Sequence, residues 1–315
     1  MKAVILFLFS LSLFANEIPD ALRSRLNQTT TTSQFGEISF RQPKIGNTGE
    51  PLLLLHGVYA GSTHMAWREI LPKLDDLGFR VFVVDLPGTG ENATPTKQVY
   101  KMELLDQFVK NFIEEVIGES TFVMTESLLG VSALKVAGQN PELFKGLILL
   151  SPTGINTLAA SNEDQDKLFN RLYNSKFLGN IFYKSLFFKP VLRFFLNKTV
   201  YNDELIDDLR IQETQIAGDI ENQKWISLSF VGGQIYRSFE EASANVTVPT
   251  LMIFGEEAES VGSDDSLLEK PENFIKIRPD FESVIIPKSG QSVQREKPLE
   301  TATAAKDFID SLSFL

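Results

Sequence analysis

Thr121-Phe122-Val123-Met124-Thr125-Glu126-Ser127-Leu128-Leu129-Gly130 is the stretch that decides the fold. Residues 121–124 form a short apolar run with strand-forming residues. A helical pattern from Ser127 to Gln139 follows at once and is stopped by Asn140-Pro141. The spacing therefore predicts a strand, a sharp turn with Ser127 at its apex, and a helix.

The same alternation extends outward. Pro51 to Leu55 is a continuous apolar run that ends at His56-Gly57, as expected of a strand buried on both faces. Ser62 to Leu77 has helical spacing and is stopped by Gly78. Arg80 to Asp85 is a second buried strand, Val99 to Ile117 a helix and Leu147 to Leu150 a fourth strand. Strands alternating with helices imply right-handed crossovers and a parallel sheet, whose ligands bind at the carboxyl ends of the strands. From Asn156 the alternation gives way to a helical, phenylalanine-rich segment. It resumes with the strands Pro249–Gly255 and Ser283–Pro287 and the helix Leu299–Leu312. The expected architecture is α/β, a mostly parallel doubly wound sheet with an inserted helical cap. Its divisions are a core in two parts, 35–155 and 246–315, around a cap over 156–245. Glu37 to Arg41 is the expected first strand. The polar stretch 16–34, with Thr29 to Thr32, is expected to be a tether outside the core.

Composition excludes several chemistries. The chain has no cysteine, so disulfides, thiolate metal sites and cysteine nucleophiles are out. Its two histidines, His56 and His64, make a histidine-rich metal centre a poor expectation, and no metal or cofactor is expected. A net charge of -11 argues against a nucleic-acid partner. At the N-terminus Lys2 precedes an apolar run to Leu8 that continues to Ala15, shorter than the about 20 residues of a membrane span. Residues 1–15 are therefore expected to be a signal peptide and the protein exported. Leu13 is bulky for a position two before a cleavage site at Ala15, so an uncleaved anchor is the alternative, as is a buried helix.

Three motifs come in order, each after a predicted strand: Leu55-His56-Gly57-Val58, Asp85-Leu86-Pro87-Gly88-Thr89-Gly90 and Thr125-Glu126-Ser127-Leu128-Leu129-Gly130. Together they resemble the α/β-hydrolase superfamily, from about Phe35 to the C-terminus. The resemblance implies a serine hydrolase without cofactor. Ser127 would be the nucleophile on a strained elbow, and the N–H groups of Leu128 and Val58 (or Tyr59) the oxyanion hole. His56 would brace its loop, and Asp85 would cap the turn that follows it by hydrogen bonds to backbone N–H groups.

The chain departs from that pattern in three places. Leu129 stands where a small residue lets strand and helix approach. Gly255-Glu256-Glu257-Ala258-Glu259 has alanine where the triad acid is expected, which leaves Glu257 or Glu259 as acid or merely as part of a solvated acidic loop. Ser289-Gly290-Gln291 through Glu296-Lys297-Pro298 keeps the glycine and the Glu-x-Pro but has glutamine at the position of the base, and glutamine cannot accept a proton at neutral pH. His64 is a candidate rescue; otherwise it is a surface histidine at a helix start. Two functions stand open: an exported carboxylester-type hydrolase of an apolar small molecule using Ser127 and Glu257, and a pseudo-hydrolase that binds a ligand or partner in the old pocket. Between Arg171 and Lys198 the cap interleaves lysines and arginines with phenylalanines and has no acidic residue. That pattern suits packing onto the core with lysines facing water, a pocket for acyl groups, or contact with a membrane surface.

Overall fold

A computed structural model describes residues 26–93, 97–156, 158–220, 223–258 and 269–312. The signal-like segment 1–15 and the alternative acid Glu259 lie outside them. Eight strands form one sheet: β1 (Gln28–Thr32), β2 (Gly36–Arg41), β3 (Pro51–Leu55), β4 (Arg80–Val84), β5 (Thr121–Glu126), β6 (Phe144–Leu150), β7 (Thr250–Gly255) and β8 (Glu282–Ile286). Their order is β1-β2-β4-β3-β5-β6-β7-β8; the pairs β1/β2 and β2/β4 are antiparallel and the others parallel.

The unbroken apolar runs follow from this burial. In β3, Leu53 and Leu55 enter one apolar cluster and Leu52 and Leu54 the other, because successive side chains point to opposite faces. The first cluster lies under α2 (Met102–Phe112) and α3 (Leu129–Gln139). The second lies under α1 (Leu71–Asp76) and α12 (Pro298–Leu312). Between β6 and β7 the described chain passes through α4 (Glu163–Asn174), α5 (Lys176–Leu186), α6 (Lys189–Asn197), α7 (Asp208–Gly218), α8 (Lys224–Val231) and α9 (Phe239–Ser243). The helices α10 (Pro271–Ile277) and α11 (Val293–Glu296) complete the α-helices among the described residues.

Two expectations are corrected. The tether ends at the sheet and not at residue 34: Gln28–Thr32 is edge strand β1, with Thr30 opposite Ile38. Threonines, being β-branched, favour extended backbone, and Gly36 at φ 69° makes the turn back into β2. The helix expected over Ser62–Leu77 is broken into a 3₁₀ turn, His64–Trp67, and α1, which starts with Pro72 in its first turn. Proline lacks the N–H that a continuing helix needs, so it opens a new one.

The strand order fixes where a site can form. The chain leaves β3 toward α1 on one face and β5 toward α3 on the other. The carboxyl ends of these neighbouring strands are thus the switch point at which a doubly wound sheet binds its ligands. The 56–59 loop, after β3, and Ser127, after β5, stand there.

Candidate active site

Ser127 has φ 54°, in the left-handed region that a side chain occupies only under strain. Its N–H donates to Leu150 O of β6 (2.9 Å), and α3 begins two residues later. The elbow closes despite Leu129, whose side chain is fully buried in the core. Gly130 is not what relieves the crowding: a Cβ there would lie 3.4 Å from Thr125 Oγ1, in ordinary contact. Val58 and Leu128 are buried, and the N–H of neither donates to an acceptor among the described residues. Both N–H groups are thus free of other acceptors among the described residues, as donors to an oxyanion have to be.

Glu126, beside the serine, is a feature the sequence analysis passed over. Its Oε1 accepts from Gly57 N–H (3.0 Å) and Tyr59 O–H (3.4 Å), and its Oε2 accepts from the Gln294 amide. These bonds tie the 56–59 loop, the elbow and α11 together. The signal was present: a carboxylate inside a buried strand must find partners. Behind Gln294 lies an ionic cluster. Glu213 on the cap helix α7 faces Arg210 (2.7 Å), Arg295 (3.1 Å) and Arg68 (2.8 Å), and Arg295 also donates to Met65 O (2.9 Å). Burial opposes ionisation of Glu213, yet the guanidiniums, Arg295 foremost, hold its carboxyl below the ordinary value. Burial, joined by the Glu126 charge, pushes the Tyr59 phenol up.

At the expected base position, Gln291 Nε2 donates to Ser151 O (3.2 Å), next to the Leu150 carbonyl that receives the Ser127 N–H. The fold thus brings residue 291 to the strand end where the elbow sits. Its loop is held by Glu296 of the Glu-x-Pro, which accepts from Gly290 N–H (2.5 Å) and from Tyr201 N–H (2.8 Å) of the cap. Glu257 is exposed; its N–H donates to Ser289 O (2.9 Å), but its carboxylate accepts no hydrogen bond among the described residues and so orients nothing at 291. Ala258 beside it is buried. Glu269, unremarked in the sequence, is buried and accepts from the N–H groups of Gly154 (3.0 Å), Ile155 (2.9 Å) and Asn156 (2.9 Å) after β6.

Both histidines are engaged elsewhere. Leu86 N–H donates to His56 Nε2 (3.2 Å), so Nδ1 carries the proton and donates to Gly57 O (2.8 Å). Burial lowers its pKa, and the ring braces the loop in neutral form. His64 is not a surface residue: it is 8% exposed, and its Nδ1 lies 3.0 Å from both carboxylate oxygens of Asp85. Asp85 also accepts from Glu91 N–H (2.9 Å), capping its own turn as expected. Burial alone would lower the His64 pKa, but the charge and hydrogen bond of Asp85 outweigh it and raise the value. The His64 Nδ1 is committed to Asp85, while its Nε2 is buried without a hydrogen-bond partner, and no hydrogen bond joins His64 to Ser127 among the described residues.

The model of the alpha/beta hydrolase fold family matches residues 50–290, which contain strands β3 to β8 and Ser127. The chain belongs to that family. Among relatives of this alpha/beta hydrolase, a 2-hydroxy-6-oxononadienedioate/2-hydroxy-6-oxononatrienedioate hydrolase of Cupriavidus pinatubonensis is 26% identical over 230 residues, covering 70% of this chain and 75% of the relative. Lipase 3 of a Moraxella species is 24% identical over 276 residues, covering 84% and 79%. Among solved structures, a thermophilic esterase from Thermogutta terrifontis superimposes with a TM-score of 0.68 at 18% identity, covering 91% of this alpha/beta hydrolase and 99% of the esterase. That likeness is one of fold. Among the described residues no group of side chains could hold a metal ion, and no helix is long and apolar enough to cross a membrane.

Proposed function

We propose that this alpha/beta hydrolase binds a small, largely apolar acyl ligand in the Ser127 crevice and has lost the turnover of a triad enzyme. One observation carries the reading: the position of the base holds Gln291, whose amide is spent on Ser151 O. Glutamine cannot take the serine proton, and loss of a triad member costs several orders of magnitude in rate. The unused Val58 and Leu128 N–H groups suit a ligand carbonyl or carboxylate oxygen. The names of the relatives, a hydrolase of 2-hydroxy-6-oxo dienedioates and a lipase, support a ligand with a carbonyl or carboxylate group on a carbon chain. The N-terminal run after Lys2 supports export of the protein, which N-terminal sequencing of the fractionated native protein tests.

A second reading, a slow serine esterase, has the elbow strain at Ser127 in its favour. A fluorophosphonate probe separates the two. Folded protein that stays unlabelled, yet is stabilised in thermal melts by sodium octanoate, supports the binding function. Labelling that disappears in Ser127→Ala overturns it in favour of the esterase.

A further inference from the structure

The outer face of the cap is apolar where water should favour polar groups. On α5, Phe177 (73% exposed) and Ile181 (54%) stand one turn apart, and Phe188 (63%) is exposed in the turn between α5 and α6. On α6, Phe194 (58%) and Phe195 (46%) are also exposed. These rings are not needed to pack the cap, because the same helices bury other residues inward: Gly179 and Tyr183 from α5, Leu192 and Leu196 from α6. A cluster of this kind marks an interaction surface.

Charge identifies the partner. From Arg171 to Lys198 the chain carries Arg171, Lys176, Lys184, Lys189, Arg193 and Lys198 and no acidic residue, within a chain of net charge -11. Lys189 and Arg193 answer Asp208 of α7 (2.7 and 3.5 Å), and Lys198 lies over the Phe194 ring. Lys176 and Lys184 flank the α5 stripe without an ion pair among the described residues. Cations around exposed aromatic and aliphatic side chains, on helices lying along a surface, match an anionic bilayer interface: the rings enter the acyl boundary and the ammonium groups meet headgroup phosphates. We infer that the α5–α6 face of the cap docks this protein on anionic lipid surfaces. The inference is independent of whether Ser127 turns over.

The test is co-sedimentation of the whole protein with vesicles at low salt. Binding is expected to equimolar phosphatidylglycerol–phosphatidylcholine and not to phosphatidylcholine alone. Lys176→Glu with Lys184→Glu should lower the partition coefficient at least about 10-fold, since each cation near an anionic surface contributes about 5-fold. Phe177→Ser with Ile181→Ser should abolish binding; all four side chains are exposed, so thermal melts should match the parent and report any folding failure. Equal binding to both vesicle types, or binding that survives both double variants, overturns the inference. So does a concentration-dependent dimer in sedimentation velocity that Phe177→Ser dissolves, because the face would then belong to a second copy.

Discussion

Gln291 Nε2 donates to the main-chain oxygen of Ser151 at 3.2 Å, one residue past the β6 carbonyl that fixes the Ser127 backbone. A side chain at 291 therefore already lies at the strand end that carries the elbow. The exit of β7 lies against the same loop: a Cβ on Gly255 would meet Ser289 O at 2.4 Å. Ala258, buried three residues on, stands at the position where the resemblance expects the acid. The double variant Gln291→His with Ala258→Asp should raise p-nitrophenyl butyrate hydrolysis at least about 100-fold, since triad members act as a unit worth several orders of magnitude. Adding Ser127→Ala should remove the gain. No gain in a folded double variant means that the crevice has lost more than its base.

The left-handed backbone at Ser127 also predicts a stability difference that needs no substrate. Any residue with a Cβ is strained at φ 54°, and glycine is not. Ser127→Gly should therefore be more stable than Ser127→Ala by about 1 kcal/mol, the usual cost of this conformation. Urea denaturation of the two variants measures it. Equal midpoints would mean that the strain is relaxed in solution.

The sheet and the elbow were legible because they rest on local signals. Apolar runs doubly buried in β3 and β5, and a strand-to-helix switch at Ser127, leave few alternatives. The site's polar wiring was not legible in the same way. Glu126, Glu213 and Gln294 lie 87 and 81 residues apart in succession, and nothing in a linear pattern says that Arg295 will face a glutamate on the cap. His64 shows the same limit: a histidine at a helix start is polar by composition, and only the packing of Asp85 against it makes it a buried partner. The strand β1 escaped because four threonines are as compatible with a polar loop as with an exposed edge.

The Glu213 cluster should dominate the cohesion of cap and core. Removing its carboxylate leaves Arg210 and Arg295 buried with their principal counter-charge gone. Glu213→Ala should cost about 3–5 kcal/mol in urea denaturation, the range for breaking a buried pair from one side. Lys110→Ala, which removes an exposed pair with Glu114 on α2, should change stability by no more than about 0.5 kcal/mol. A loss below 1 kcal/mol at Glu213 would show that water reaches the guanidiniums.

The pair His64–Asp85 makes stability depend on pH with a sign that can be worked out. The folded pKa of His64 is raised above its ordinary value near 6.5, so its contribution is fully present below that value and is lost as pH rises through the folded pKa. Asp85 runs the other way. Burial opposes its charge, but His64 outweighs burial and lowers its pKa, so its contribution is present above about 3.8 and lost as pH falls through the folded value. The ion pair is therefore strongest in the window between these limits, around pH 5 to 6. His56, with its pKa lowered by burial, works against the molecule on acidification, since the unfolded chain takes up a proton there first. In His64→Gln the group that stabilises the fold at low pH is gone, while His56, which destabilises it there, remains. The gap in stability between parent and variant should thus be widest near pH 5, about 3 kcal/mol for a buried pair broken from one side, and should narrow as pH rises. Thermal melts of both proteins from pH 5 to 9 check this. A gap that widens toward pH 9 would show that His64 is neutral in the folded protein.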